Sequence, residues 1–132
     1  VLFRSREKFM KKFNKAIGSL GENLAIDYLK QNKYKILDTN FKNRFGEIDI
    51  ISKKDDLIII IEVKGRFGVA YGFPSESVNL SKQKNIIKVT NSYLYINNLY
   101  KHNIRFDIIE IFLNHITNSY KINHIVDAFR IN

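Results

Sequence analysis

An α/β fold, a mixed sheet flanked by helices, is predicted by three observations in this chain of 132 residues. Apolar residues recur at helical spacing from Gly18 to Leu29 and again after Ser81, whereas elsewhere they fall in strand-length blocks. Two of those blocks face each other across a charged turn at Lys54, Asp55 and Asp56, the pattern of a hairpin. One of them, Leu57 to Ile61, is five apolar residues in a row, as expected of a central strand buried on both faces. The resulting order is helix, hairpin-rich sheet, helix, two strands.

The length suits a single domain, 1–132, able to bury a core without disulfides. Twenty-two Lys and Arg stand against thirteen Asp and Glu, for a net charge of +9. Such a balance points to a polyanionic partner, nucleic acid ahead of an anionic membrane surface. No apolar run approaches the ~18 residues of a membrane span, and no secretory core follows the basic N-terminus. The absence of cysteine fits a cytoplasmic protein and excludes thiolate zinc sites and cysteine nucleophiles. His102, His115 and His124 are scattered, and read as surface or strand histidines rather than a ligand set.

Taken in order, residues 1–16 form a basic extension, with Arg4, Arg6, Lys8, Lys11, Lys12 and Lys15 against Glu7 alone. This is either a frayed tail or an arm laid along a phosphate backbone. A helix follows from Gly18, with Ser19 as its N-cap and Leu20, Leu24, Ala25, Tyr28 and Leu29 on its apolar side, and it ends at Gln31, Asn32 and Lys33. Glu22 borders that side. It is either a first-turn acid favoured by the helix dipole or a carboxylate that needs a partner. Tyr34 to Phe41 is the first strand, with Lys33, Lys35, Lys42 and Arg44 adding positive charge around it.

The stretch from Gly46 to Arg66 is the hairpin. A register symmetric about the Asp55/Asp56 junction sets Asp49 opposite Glu62 and Glu47 opposite Lys64. Carboxylates with Cβ atoms about 5 Å apart repel unless a cation lies between them. Magnesium, which prefers hard oxygen ligands and is typically held by one or two carboxylates, is the simplest remedy. The plain alternative is a solvated hairpin rim. The position of Glu62 and Lys64 directly after a five-residue core run weighs against it.

The glycine-rich loop that follows, GRFGVAYGFP, carries Arg66, suited to phosphate, and Tyr71 and Phe73, which either stack on a base or fold back on the core. A second helix runs from a Ser81 cap towards Lys101. Lys82, Gln83 and Lys84 fill its first turn, where the lysines oppose the helix dipole and suit an anion instead. Arg105 to Leu113 and Ser119 to Phe129 are the last two strands.

The blocks GSLGENLAIDYL, NFKNRFGEIDII, IIEVKGR, SVNLSKQK, RFDIIEI and IVDAF, in this order, resemble the YraN family of bacterial proteins. That family is similar to archaeal Holliday-junction resolvases and to the wider PD-(D/E)xK nucleases. The resemblance spans Gly18 to Phe129. It implies a restriction-endonuclease-like fold and a Mg2+- or Mn2+-dependent endonuclease acting on branched or structured DNA, working as a homodimer.

By the same resemblance Asp49, Glu62 and the Val63 carbonyl hold the metal, Lys64 is the catalytic amine, Glu22 completes the acid cluster and Gln83 supports the site. Arg44, Arg66, Lys82 and Lys84 fall to nucleic-acid binding. Glu47 matches its block without an assigned role, and Ile48 stands where the superfamily has a proline before the first acid. The alternatives are a nucleic-acid-binding protein that keeps the fold without catalysis, or an assembly partner of DNA-processing proteins.

Overall fold

The computed structural model describes residues 2–67, 78–114 and 116–131. Its elements are α1 (Leu2–Gln31), β1 (Lys35–Asn43), β2 (Gly46–Lys54), β3 (Leu57–Phe67), α2 (Leu80–Ile96), β4 (Asn103–Asn114) and β5 (Ser119–Phe129). The strands form one sheet in sequence order, antiparallel throughout except for β3 and β4. These two are parallel, and the crossover between them contains α2. The result is an α/β fold with a five-stranded mixed sheet, consistent with a restriction-endonuclease-like architecture.

The isoleucines of β3 explain the layering. Ile59 and Ile61 pack with Ala25 and Leu29 of α1, while Ile58 and Ile60 pack with Ile86, Val89, Tyr93 and Leu94 of α2. Successive side chains of a strand point to opposite faces, so both faces of this strand are covered and each helix takes one of them. Burial of each such side chain stabilises the fold by about 1.5–3 kcal/mol. The helix α1 lies especially close to β3 where glycine meets glycine. A Cβ on Gly21 would sit 3.7 Å from the Gly65 Cα, and one on Gly65 would sit 3.6 Å from the Ile17 carbonyl.

Two helix starts differ from expectation. The first helix begins at Leu2, so the basic extension is helical and continuous with α1, and Ser19 lies inside the helix rather than capping it. No proline interrupts residues 2–17, and the lysines and arginines there are good helix formers. The second helix is capped by Asn79 instead of Ser81, the Asn79 side chain accepting from the Lys82 backbone N–H at 2.9 Å. It ends at Ile96, short of Lys101. Tyr71, Phe73 and His115 lie outside the described residues.

A buried polar cluster ties the far side of the sheet together. The Asp107 carboxylate, fully buried, accepts from Arg105 Nε and Nη2 at 2.8 Å each and from the Asp127 backbone N–H at 2.9 Å. It also bonds His124 Nε2 at 2.8 Å, while His124 Nδ1 lies 2.9 Å from the Tyr28 hydroxyl on α1. An ionised carboxylate only accepts, so a neutral His124 carries its proton on Nε2 and Tyr28 donates to Nδ1. Arg105 further donates to the Tyr34 hydroxyl at 3.2 Å. Burial alone would raise the pKa of Asp107, but the bonds from His124, Arg105 and the Asp127 N–H together hold it below the ordinary value.

Candidate metal and nucleic-acid site

The hairpin keeps the register its sequence suggests near the turn, but the expected pairs Asp49↔Glu62 and Glu47↔Lys64 lie beyond its last rung; Glu47 is instead paired with Lys42 of β1 and Lys64 with Glu110 of β4. The rungs run from Lys54↔Leu57 to Ile50↔Ile61, symmetric about Asp55 and Asp56, with Asp55 at φ 55° in the turn. A tight hairpin turn favours such a left-handed residue. The ladder stops at Ile50↔Ile61, and the next contact is made by a side chain. The Val63 N–H donates to Asp49 Oδ2 at 2.8 Å. Asp49 therefore lies just past the last rung, where its carboxylate takes the place of a ladder carbonyl one residue beyond Glu62.

The packing changes on either side of Asp49. Ile51 packs on the α2 side and Ile50 on the α1 side, yet Ile48 again packs on the α2 side. Simple alternation thus breaks across Asp49. In β1 the pairing passes from Thr39↔Ile50 to Phe41↔Ile48, with Asn40 at φ 53° between them. Asparagine is among the few residues that adopt this conformation readily. The Asn40 side chain bonds Glu22 of α1.

Three carboxylates from three elements act on one another electrostatically: Glu22 of α1, Asp49 of β2 and Glu62 of β3. Asp49 is pushed up to about 7, first by burial and then by the charge of Glu62, with Glu22 adding to the rise and the Val63 N–H and Lys82 opposing it. Glu22 is also raised, by burial foremost and then against its Asn40 hydrogen bond by the charges of Glu47 and Glu62. Because α1 starts at Leu2, Glu22 is far from the helix N-terminus, and the dipole explanation for it fails.

Glu62 is 8 % exposed, and its Oε1 forms an ion pair with Lys82 Nζ. Lys82, read from sequence as a phosphate contact, thus reaches back from α2 into the acid group. Gln83 donates through Nε2 to the Val78 carbonyl at 2.7 Å and so braces the approach to α2. Lys64 follows Glu62 by two positions on the α2-facing side of β3 and is aligned in register with Glu110 of β4. Glu110 is 1 % exposed and accepts from Asn123 of β5 at 3.0 Å. Glu110 and Asn40 were not singled out from sequence, although Glu110 interrupts an apolar run just as Glu62 does.

The basic residues divide. The Arg44 guanidinium lies 4.7 Å from the Phe45 ring centroid in the β1–β2 turn, and Lys88 of α2 lies 5.4 Å from the same ring. The turn leans on α2 through Gly46, whose added Cβ would meet Val89 and Asn85. Lys84 is exposed on the first turn of α2, and Arg66 is aligned with Phe112 near the end of β3. Arg44, Lys84 and Lys88 therefore flank the same helix that brings Lys82 to the acids.

The donor set suits a hard dication: two carboxylates of opposed strands, one of them held protonated more readily by its neighbours, with the Val63 backbone beside them. Among the described residues no three acidic or histidine side chains are gathered into a ready metal-holding group. Also among the described residues, no helix is long and apolar enough to cross a membrane.

Comparison with known proteins gives one consistent result. The model of a family described as "Uncharacterised protein family UPF0102" matches residues 21–111, from the glycine beside Glu22 to the strand carrying Glu110. A UPF0102 protein of Clostridium botulinum is 64% identical over 121 residues, covering 92% of this chain and 99% of that protein. One of Clostridium beijerinckii is 59% identical, covering 93% and 100%, and one of Clostridium perfringens is 48% identical, covering 92% and 100%.

Proposed function

The chain belongs to the UPF0102, or YraN, family, and on that premise we propose that it is a divalent-metal-dependent endodeoxyribonuclease. Its substrate is branched or otherwise structured DNA, the class suggested by the resemblance to junction resolvases. The observation that carries this reading is the pairing of Asp49, held at the end of the hairpin ladder by the Val63 N–H, with the buried Glu62, whose charge opposes its own, Glu22 of α1 adding to the opposition.

In this reading Asp49 and Glu62, with the Val63 carbonyl, hold Mg2+ or Mn2+. The ion supplies Lewis acidity at the scissile phosphate. Lys64 orients the attacking water, and Glu22, braced by Asn40, completes the acid wall opposite it. Gln83 keeps the start of α2 in place. Arg44, Arg66 and Lys84 contact phosphates, which gives recognition by shape and charge rather than by base edges. A homodimer suits a two-fold symmetric junction.

The test is a cleavage panel of linear, flapped and four-way DNA with and without Mg2+ or Mn2+, run beside Asp49→Ala. Metal-dependent cutting by the wild type, lost in Asp49→Ala while DNA binding persists or tightens, supports the reading. The second reading, a nucleic-acid-binding protein that keeps the fold, is favoured by the ion pair through which Lys82 already neutralises Glu62. It takes over if no substrate is cut and Asp49→Ala binds DNA as the wild type does. Lys64→Ala separates the roles further: lower turnover at unchanged affinity marks an amine acting in the reaction, and equal losses mark a phosphate contact.

A further inference from the structure

We propose that Lys82 is a resident counter-ion that competes with the divalent metal for Glu62 and, when displaced, turns to the substrate phosphate, coupling metal binding to DNA binding. This rests on the metal-site reading above. The ion pair joins two unlike partners. The Glu62 side chain is 10% exposed, whereas that of Lys82 is 49% exposed. One end of the pair is fixed in the sheet, and the other is a flexible four-carbon stem rooted at the protein surface.

The root itself is rigid. The Asn79 side chain bonds the Lys82 N–H, and Gln83 N–H bonds the Asn79 carbonyl at 2.9 Å, so the first turn of α2 is closed around Lys82. Movement is therefore confined to the lysine side chain. A lysine in the first turn of a helix is disfavoured by the dipole, and none of the first-turn residues is acidic. The acids of the sheet supply the compensating charge.

A single ammonium leaves that compensation incomplete. The charges of Glu47 and Glu62 raise Glu22, those of Glu62 and Glu22 raise Asp49, and Asp49 remains raised in spite of Lys82. A dication at Glu62 and Asp49 offers twice the charge and direct oxygen coordination, and it repels an ammonium on the same carboxylate. The ammonium then has to leave. Other cations stand on the same helix and on the turn packed against it: Lys84 is exposed, and Arg44 and Lys88 lie over the Phe45 ring. Released there, Lys82 adds one more positive charge to the face proposed to meet phosphate.

The test is Mn2+ titration by calorimetry of the wild type, Lys82→Met and Lys82→Arg without DNA, with folding of each checked by circular dichroism. Lys82→Met should bind Mn2+ more tightly, by roughly two- to fivefold given an ion pair of this exposure, and Lys82→Arg should resemble the wild type. In a Lys64→Met background, Mn2+ should increase DNA affinity by fluorescence anisotropy, and the increase should shrink once Lys82→Met is added. Equal or weaker Mn2+ binding by Lys82→Met, or no Mn2+ binding by any variant, overturns the proposal and makes Lys82 a structural brace. A wild type that cuts DNA with metal while Lys82→Met leaves Mn2+ affinity unchanged sinks this inference alone. Tighter Mn2+ binding by Lys82→Met in a protein that cuts nothing sinks the nuclease reading alone.

Discussion

Asp49 and Asp107 are both carboxylates sunk into the same sheet, and they have opposite surroundings. Asp107 is met by a guanidinium, an imidazole and a backbone N–H, and its pKa is lowered. Asp49 is met by one backbone N–H and by the charges of Glu62 and Glu22, and it is pushed up to about 7. Burial raises both, so the difference lies in the partners. A buried acid with its acceptor sites filled holds strands together. One left facing other acids destabilises the fold until a cation arrives, and that is the mark of a site rather than of a scaffold.

The largest effect that separates them is on stability. Asp107→Ala strands Arg105 and His124 without their acceptor and should cost about 3–5 kcal/mol in urea unfolding, whereas Asp49→Ala should cost nothing or stabilise the metal-free protein. If both substitutions destabilise alike, the contrast drawn here is wrong.

The pH dependence comes next. A carboxyl whose folded pKa lies above its unfolded value binds more protons in the folded state between the two. Its contribution to stability is full below about pH 4 and is lost as pH rises towards about 7. The wild type should therefore lose roughly 2–4 kcal/mol relative to Asp49→Asn across that window. Asp107 works in the other direction: its contribution is present above its unfolded pKa and vanishes as pH falls through the lower folded value. Parallel pH profiles for the wild type and Asp49→Asn would remove Asp49 from the comparison.

Metal should restore what the acids cost. At a hundred times its dissociation constant, a bound Mn2+ would stabilise the folded state by about 2.7 kcal/mol. The gain in melting temperature should be greater at pH 8 than at pH 5, where Asp49 is protonated, and absent in Asp49→Ala. The smallest effect concerns the helix that carries Lys82: Asn79→Ala removes the cap and should cost about 1 kcal/mol. Loss of the Lys82 to Glu62 contact in that variant, seen as tighter Mn2+ binding, would sharpen the role given to Lys82.

Much of this site was legible from residue order. The β2–β3 register near the turn follows from period-two alternation and a two-residue turn, but the end of the ladder at Ile50↔Ile61 and the break of alternation across Asp49 have no signal in the spacing. The strand assignments held because β3 opens on five apolar residues in a row and β4 stays mostly apolar around Asp107 and Glu110. Contacts made across the crossover were not legible. Lys82 meets Glu62 only because α2 docks on the face of β3 that carries it, and no spacing encodes that docking. Similarly, nothing local separates Asp107 from Asp49, since the donors that quiet Asp107 come from β5 as well as from its own strand. The extent of α1 was missed because a basic composition suggests a tail, whereas residues 2–17 hold no breaker and continue a helix already nucleated by the packing of its later turns.

The bond from the Val63 amide to Asp49 replaces a strand carbonyl with a carboxylate. Its proton is thus a natural spectroscopic probe: in a 1H–15N spectrum the Val63 resonance will follow the state of Asp49 without any label at the site, shifting as the group ionises and again as an ion takes hold of it.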